Sequence, residues 1–209
     1  MLEWPLADIV MESKTLSDKQ KKALREEFDA HFINRITKAA ESISMEESIP
    51  VALDWINGRR TPDANQNLKG AITNLNLGAS APHLFLSLIH SICFGSKAIV
   101  NRFKEEGVEI AQIVGIGGVA KKSKFIMQTL ADTLNMPVRV VESEQTPALG
   151  AGIYAALAAG LFSSYREASG VLGSKYIAEY HPNPSKVEIM KDLMKKYTKL
   201  GISIENLTQ

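Results

Sequence analysis

The sequence has little of several features that mark particular classes of protein. Its 209 residues include one cysteine, which excludes an internal disulfide. That residue, Cys93, lies in an apolar helical pattern typical of a buried, unreactive thiol. The 24 basic and 23 acidic residues leave a formal net charge of +1, so no charge excess indicates binding to nucleic acid or to an anionic membrane.

Targeting and membrane signals are also missing. No uninterrupted apolar run approaches the roughly 20 residues that cross a bilayer. The first residues, MLEWPLADIVMESK, have no basic segment followed by an apolar core, so they do not form a signal peptide. A chain of this length can bury a sizeable core in one or two domains. We therefore expect a cytoplasmic protein without nucleic-acid or membrane partners.

Hydrophobic periodicity predicts helices that alternate with short strands. Apolar residues at helical spacing indicate five helices, over residues 17–43, 82–107, 123–135, 148–159 and 184–200. Apolar runs and alternation indicate four strands, over residues 51–55, 71–77, 111–116 and 138–141. The last two strands enclose a helix, which requires a parallel, right-handed crossover. Only helical patterns follow Thr146, so no further strand is expected.

Individual residues carry further expectations. In helix 82–107, Gly95 should mark the close approach of a neighbouring backbone, and one apolar face should be buried, with Leu84, Leu88, Ile92, Ile99 and Phe103. The helix 148–159 is rich in glycine and alanine, which predicts dense packing inside the core. His31 lies beside an apolar face and is interpreted as a boundary residue. Arg59 and Arg60 lie in a loop rich in turn-forming residues. We expect them to hold this loop together, with phosphate binding as the alternative.

The glycine turn after strand 111–116 is the most informative segment. Gly115, Gly117 and Gly118 let bare backbone approach a ligand, and free N–H groups at the start of a helix favour an anion. A tight turn without a ligand is the alternative. Residues 115–120 also fit the G-x-G-x-x-A pattern of a dinucleotide site, with Glu142 ending the next strand. Against that reading, the helix is expected to begin only at Ser123, and no third strand is expected.

Several motifs, taken in order, resemble the FGGY family of carbohydrate kinases. The family's adenosine motif and final helix are similar to IVGIGGVAKKSKFIMQTLADTLNMPVRVV and TPALGAGIYAALAAG. Its GERTP-type loop and the following strand resemble NGRRTPDANQNLKGAITNLNL. Residues 70–75 and 83–87 partly fit the second family signature, with departures at Asn74 (usually glycine), Leu88 and His90 (usually acidic or amide). These departures, with DWINGRR and ICFGSKAI, look like the L-ribulokinase branch, and the resemblance runs from Met1 to about Ala159.

The resemblance implies an α/β, actin-like (ribonuclease H-like) ATPase fold, in which a mixed sheet is flanked by helices and this chain forms the C-terminal half. Leu2–Leu6 would then mark a cut through a helical region. The chain would consist of three segments: a helical one (1–50), the kinase core with the adenosine motif (51–165) and a helical tail (166–209). The implied activity of the whole protein is ATP-dependent phosphorylation of L-ribulose to L-ribulose 5-phosphate in arabinose catabolism. ATP and Mg²⁺ are the implied cofactors.

The resemblance also assigns residues around the glycine turn. Gly117 and Gly118 would approach the ATP phosphates and ribose, Val119, Ala120 and Lys122 would line the adenosine, and Ser123 would lie near the ribose or base. No Asp-x-Gly motif occurs in the chain, so the first phosphate motif, the catalytic base and the sugar-binding residues are expected upstream. The chain alone is therefore expected to be inactive, with no catalytic or metal-binding residue assigned, and a homodimer is one option.

Three alternatives remain from the sequence. The chain could belong to a kinase of the same family that acts on another pentulose or sugar. It could be a non-catalytic, actin-like nucleotide-binding module with a partner surface around Trp4, Leu6 and Phe28. The third alternative is the dinucleotide-binding domain of an oxidoreductase.

Overall fold

Helices and short strands alternate along the chain. The computed structural model describes residues 4–45 and 47–208. Within these residues the helices are α1 (Trp4–Glu12), α2 (Asp18–Glu41), α3 (Ala81–Glu105), α4 (Gly117–Lys122), α5 (Lys124–Leu134), α6 (Thr146–Ala158), α7 (Tyr165–Leu172) and α8 (Pro184–Thr208). The strands are β1 (Val51–Ala52), β2 (Ile72–Thr73), β3 (Ile113–Gly115), β4 (Val138–Val141) and β5 (Tyr176–Tyr180). The α/β class is confirmed.

A three-stranded mixed sheet carries the second half of the chain. Its order is β3-β4-β5; β3 and β4 are parallel, as predicted, and β5 is antiparallel to β4. The prediction that no strand follows Thr146 is therefore wrong. Four of the five residues of β5 pair with β4, far away in the sequence. The mixed exposure of β5, in which only Ala178 and Tyr180 are half-buried, gives little local apolar signal.

The two earlier predicted strands are shorter than expected. β1 and β2 form a small antiparallel pair, in which Val51 is opposite Thr73. β2 ends at Thr73, because the next residue, Asn74, has a φ of 61° that takes the backbone out of the extended region. Beyond β1, the Leu53 N–H still donates to the carbonyl oxygen of Ala71 at 2.8 Å. Leu53 and Trp55 then enter the core without extending the ladder.

Helix starts follow local capping chemistry. α2 begins after Ser17, whose hydroxyl oxygen accepts from the Gln20 N–H at 3.4 Å while the Gln20 side chain accepts from the Ser17 N–H at 3.0 Å. This reciprocal pair satisfies two donors that the helix end leaves free. α5 begins after Ser123, whose hydroxyl oxygen accepts from the Ile126 N–H without a reciprocal bond. The predicted start of α2 is confirmed.

The buried face of α3 differs from the predicted one. Its buried residues are Leu86, Ser87, Ile89, His90, Ser91, Cys93, Phe94 and Val100. Ile92 and Phe103 are 58% and 49% exposed, so their predicted burial is wrong, while Leu84, Leu88 and Ile99 are half-buried. Helices α2 and α5 both pack against α3. Apolar spacing could not decide between two faces that are both largely apolar.

Two expectations about small residues are also wrong. A Cβ on Gly95 would lie 2.5 Å from Oδ2 of Asp54, so Gly95 makes room for a carboxylate and not for a backbone. In α6, the helix rich in small residues, only Ile153 is buried. α6 packs against α7, with the Tyr154 and Tyr165 rings 5.2 Å apart. Small side chains permit close packing, but they do not by themselves drive burial.

Two clusters of buried side chains form most of the core. The first joins the β1 region to α3 and α8, with Val51, Leu53, Trp55, Leu68, Phe94, Met190 and Tyr197. The second lies between the sheet, α3, α4 and α5, with Val100, Ala120, Met127, Ala131, Leu134, Val138 and Val140. The helix predicted over residues 123–135 corresponds to α5, whose buried apolar side chains are Met127, Ala131 and Leu134. The segment boundaries at residues 50 and 165 stay a prediction.

α3 is long and apolar enough, by length and composition, to cross a membrane. Nearly half of its most apolar stretch is buried in the protein, and Lys97 in its middle donates from Nζ to the carbonyl oxygen of Leu134 at 2.9 Å. Contacts of this kind are those of a core helix.

Candidate functional site

Two loops meet at one edge of the mixed sheet. β3 ends at Gly115 and leads through Ile116 into α4, and β4 ends at Val141 and leads into α6. Because β3 and β4 are parallel, both loops leave the sheet at its carboxyl edge. In open α/β sheets this edge is where ligands bind.

The three glycines of the turn have different physical reasons to be glycine. A Cβ on Gly115 would lie 3.2 Å from both Cβ of Ala120 and Sδ of Met127, so Gly115 allows α4 and α5 to pack on β3. Gly117 has a φ of +82°, which a side chain would strain. Gly118 has neither constraint, since a Cβ there would meet nothing within 4 Å. The chain's own packing therefore does not require a glycine at position 118.

The remaining predicted site residues lie on different sides of α4. Val119 is 61% exposed, and Lys122, one helical turn after Gly118, is also exposed. Within residues 4–45 and 47–208, the Lys122 ammonium makes no hydrogen bond or salt bridge, and it acts on Glu144 through its charge. Ala120, in contrast, is 4% exposed and belongs to the second core cluster. Gly118, Val119 and Lys122 thus form an open face that combines bare backbone, an apolar side chain and a cation.

Ser123 has a structural task. Its hydroxyl oxygen accepts from the Ile126 N–H at 3.2 Å and so caps α5. The hydroxyl keeps its proton for donation to another acceptor. The side chain is half-buried between α4 and α5, so it borders the open face.

Lys121 links the two loops. Its Nζ donates to the carbonyl oxygen of Glu142 and to Oε1 of Glu144, both at 3.0 Å. This hydrogen bond and the Lys121 charge hold the pKa of Glu144 below its ordinary value. Sequence reasoning missed this role because adjacent lysines look alike until the short helix α4 separates their directions.

A second concave region lies away from the glycine turn. It is a cleft of about 660 Å³ between the loop 54–63, α3 and α8. There the Arg59 guanidinium lies 5.1 Å from the centre of the Trp55 ring, pairs with Glu205 and donates to the carbonyl oxygen of Asp63 at 2.8 Å. The prediction that Arg59 holds this loop is confirmed. Arg60 is exposed at the rim of the cleft.

Within residues 4–45 and 47–208, no group of three His, Cys, Asp or Glu side chains could hold a metal ion. His31, predicted to be a boundary residue, is exposed and lies along a groove between α1 and α2. Of the predicted partner surface, Phe28 is half-buried and stacks on Phe32 at 5.0 Å, whereas the Trp4 and Leu6 side chains lie outside the described residues.

Comparison with known proteins identifies the family. The C-terminal domain of the FGGY family of carbohydrate kinases matches residues 3–159, which is most of the chain. The chain belongs to the FGGY family. It is 41% identical, over 184 residues, to a ribulokinase of Vibrio parahaemolyticus and 32% identical, over 169 residues, to one of Bacillus licheniformis. These alignments cover 88% and 79% of the chain but 32% and 31% of the relatives, so the chain spans about a third of their length.

Solved structures show the same fold. A ligand-bound xylulose kinase from Lactobacillus acidophilus superposes with a TM-score of 0.74 at 21% identity, covering 81% of this chain and 34% of that one. Plasmodium falciparum glycerol kinase, solved with ADP, superposes with a TM-score of 0.64 at 19% identity, covering 79% and 33%. The predicted fold, the C-terminal portion of an actin-like FGGY kinase with a mixed sheet flanked by helices, is confirmed.

Membership in the FGGY family removes the dinucleotide alternative, although both points raised against it from the sequence were wrong. A third strand, β5, follows Thr146, and a helix, α4, begins inside the glycine motif at Gly117. α4 is six residues long and ends at Lys122. The predicted helix start at Ser123 is confirmed for α5 but overlooked α4, since glycine at the first two positions hides the helical signal.

Proposed function

We propose that this chain is the nucleotide-binding part of a ribulokinase, which transfers the γ-phosphoryl group of ATP to L-ribulose and gives L-ribulose 5-phosphate in L-arabinose catabolism. The choice of sugar rests on the 41% identity to the Vibrio parahaemolyticus ribulokinase. A kinase for another pentulose is the alternative within the family. Cytoplasmic location is part of the proposal, and a homodimer remains a prediction for light scattering to test.

The proposed site is the open face of α4 with the turn before it. Gly117 and Gly118 would let the ribose and phosphates approach the backbone, while Val119 and the stem of Lys122 cover the adenosine. Ala120 would support this face from below, and the Ser123 hydroxyl would donate to the ribose or base. The observation that carries the proposal is Gly118, where a glycine faces open space that the chain's own packing leaves unexplained.

The reaction divides between this chain and the upstream part of the kinase. A sugar hydroxyl oxygen attacks the γ-phosphorus, the bond from that phosphorus to the bridging oxygen breaks, and ADP leaves. An aspartate outside this chain would accept the hydroxyl proton, and the sugar pocket would lie there too. When bound, Mg²⁺ neutralises phosphate charge. The turn offers a cation and apolar groups in place of oxygen ligands, so this chain's task is to hold and orient the nucleotide.

A leucine substitution at Gly118 tests the site. Gly118→Leu places a large side chain in the open space and favours the helix, because leucine has a higher helix propensity than glycine. We expect the Kd of the 209-residue chain for ATP, measured by isothermal titration calorimetry, to rise at least about tenfold while the fold is kept. Gly170→Leu is the matched control, since Gly170 lies in α7 and a Cβ there also meets nothing within 4 Å.

Three outcomes would each contradict a different part of the proposal. An unchanged ATP affinity in Gly118→Leu would place the nucleotide elsewhere and contradict the site. A thermal shift with NAD that exceeds the shift with ATP would contradict the kinase assignment itself. Mixed with ATP and L-ribulose, the chain alone should release no ADP, and ribulose-dependent release would show that the catalytic base is present within it.

A further inference from the structure

Lys121 and Lys122 are adjacent but have different surroundings. Lys122 is exposed on the open face, whereas Lys121 turns toward β4 and is 24% exposed. Lys121 Nζ donates at 3.0 Å to the carbonyl oxygen of Glu142, the residue directly after β4. One lysine is thus free to meet a ligand, and the other is bound within the protein.

The bond to Glu142 bears on the orientation of α4. An isolated helix of six residues is not stable in water, so contacts with the rest of the protein must hold it. Ala120 anchors α4 inward against Gly115, and Lys121 anchors it sideways to the end of β4. Two anchors in different directions fix the rotation of the helix about its axis, and this rotation decides where Gly118 and Val119 point.

Charge gives Lys121 a second effect. Glu142 and Glu144 are both exposed, or nearly so, beside this edge of the sheet, where they would repel a polyphosphate. The Lys121 ammonium lies 3.0 Å from Oε1 of Glu144 and offsets that charge. The lowered pKa of Glu144 has the same origin and agrees with the pairing.

We propose that Lys121 is a positioning residue of the nucleotide site: by tying α4 to the Glu142 carbonyl oxygen and the Glu144 carboxylate, it sets the face that carries Gly118, Val119 and Lys122. It does not itself contact the nucleotide. The inference rests on the proposed function, because it presupposes that this face binds ATP.

Substitution of Lys121 by methionine tests the inference. Lys121→Met keeps the aliphatic stem but removes the donor and the charge, and should weaken ATP binding by the 209-residue chain roughly fivefold. Lys121→Arg, which can still donate to both oxygens, should restore most of the affinity. Lys124→Met is the matched control, because Lys124 is an exposed lysine at the start of α5 and should leave the affinity unchanged.

Hydrogen–deuterium exchange measures the anchoring separately from the affinity. The peptide that covers residues 117–123 should exchange faster in Lys121→Met than in wild type or Lys124→Met, with the core helices unaffected. A merely structural role would lower the melting temperature of the whole chain and would not be confined to α4. Should Lys121→Met fold poorly, Lys121→Leu, which also lacks a donor and a charge, is measured instead, with the same expected result.

The experiments can contradict the positioning role of Lys121 while the proposed function stands. If Gly118→Leu weakens ATP binding but Lys121→Met leaves both affinity and exchange as in wild type, the site stands and the positioning role of Lys121 is wrong. An arginine variant as weak as the methionine variant would also contradict it. If the wild-type chain binds no ATP, both the proposed site and this inference fail.

Discussion

His90 should make the stability of this protein depend on pH. Its side chain is 3% exposed in the middle of α3, and its ring lies 6.1 Å from that of Phe94. Burial disfavours the charged imidazolium and lowers the pKa of His90 to about 4, from 6.5 in the unfolded chain. Above pH 6.5 both states are neutral at this residue. As the pH falls below 6.5, His90 binds a proton in the unfolded state but not in the folded state, so the free energy of unfolding decreases.

The size of the loss follows from the two pKa values. Each unit of difference is worth about 1.4 kcal/mol, so at pH 5 the unfolded state gains about 2 kcal/mol from protonation of this residue. Replacement by glutamine removes the titrating group and introduces a neutral amide. In His90→Gln, the part of the decrease in unfolding free energy between pH 7 and pH 5 that His90 causes should be absent.

Urea denaturation at pH 7 and pH 5 measures the effect. The free energy of unfolding of wild type should fall by about 2 kcal/mol more than that of His90→Gln. His31→Gln, at an exposed histidine of α2, should follow wild type and controls for the loss of a histidine as such. Parallel pH dependences of wild type and His90→Gln would refute the reasoning, because they would mean that His90 is protonated in the folded protein.

Two further substitutions test the contacts of α8. Tyr197→Phe removes the hydroxyl that donates to Oδ1 of Asp54 at 2.8 Å; it should cost about 1–2 kcal/mol in urea unfolding, whereas Tyr154→Phe, at a 62% exposed ring, should cost nothing measurable. Asp132→Ala removes a carboxylate that is 1% exposed and accepts from the Asn183 N–H at 2.8 Å. This substitution should lower the free energy of unfolding by about 2–4 kcal/mol and the melting temperature by about 4–16 °C. Unchanged midpoints would show that these contacts are absent in solution.

The parts of the fold that could be predicted are those with a local signal. β4 has three valines among its four residues, and α5 repeats apolar residues at helical spacing after a capping serine, so both could be placed from sequence. β5 could not, because its strand character depends on pairing with β4. The exposure of Ile92 on α3 could not be predicted from sequence either, because the helices that pack on α3 decide which of its faces is buried.

The candidate site divides in the same way. Its location could be predicted, because a strand that ends in glycines marks the carboxyl edge of a sheet. The separate reasons for the three glycines could not, because the folded chain alone fixes the distances from Gly115 to Ala120 and Met127, the positive φ of Gly117 and the open space at Gly118. Ala120 shows the limit most directly: its sequence position lies within the motif, yet its side chain is in the core.

The part of the chain beyond the family match completes the core and holds one of the family's motifs in place. The match ends at residue 159, but α8 contributes Met190 and Tyr197 to the first core cluster. Tyr197 binds Asp54, which precedes the GERTP-like loop, and Glu205 pairs with Arg59 within the loop. The geometry of that loop is therefore set from both sides: by its own turn residues, which the motif records, and by α8. Because the match stops short of α8, comparison of the motif alone would overlook the contacts through which α8 helps to fix the loop.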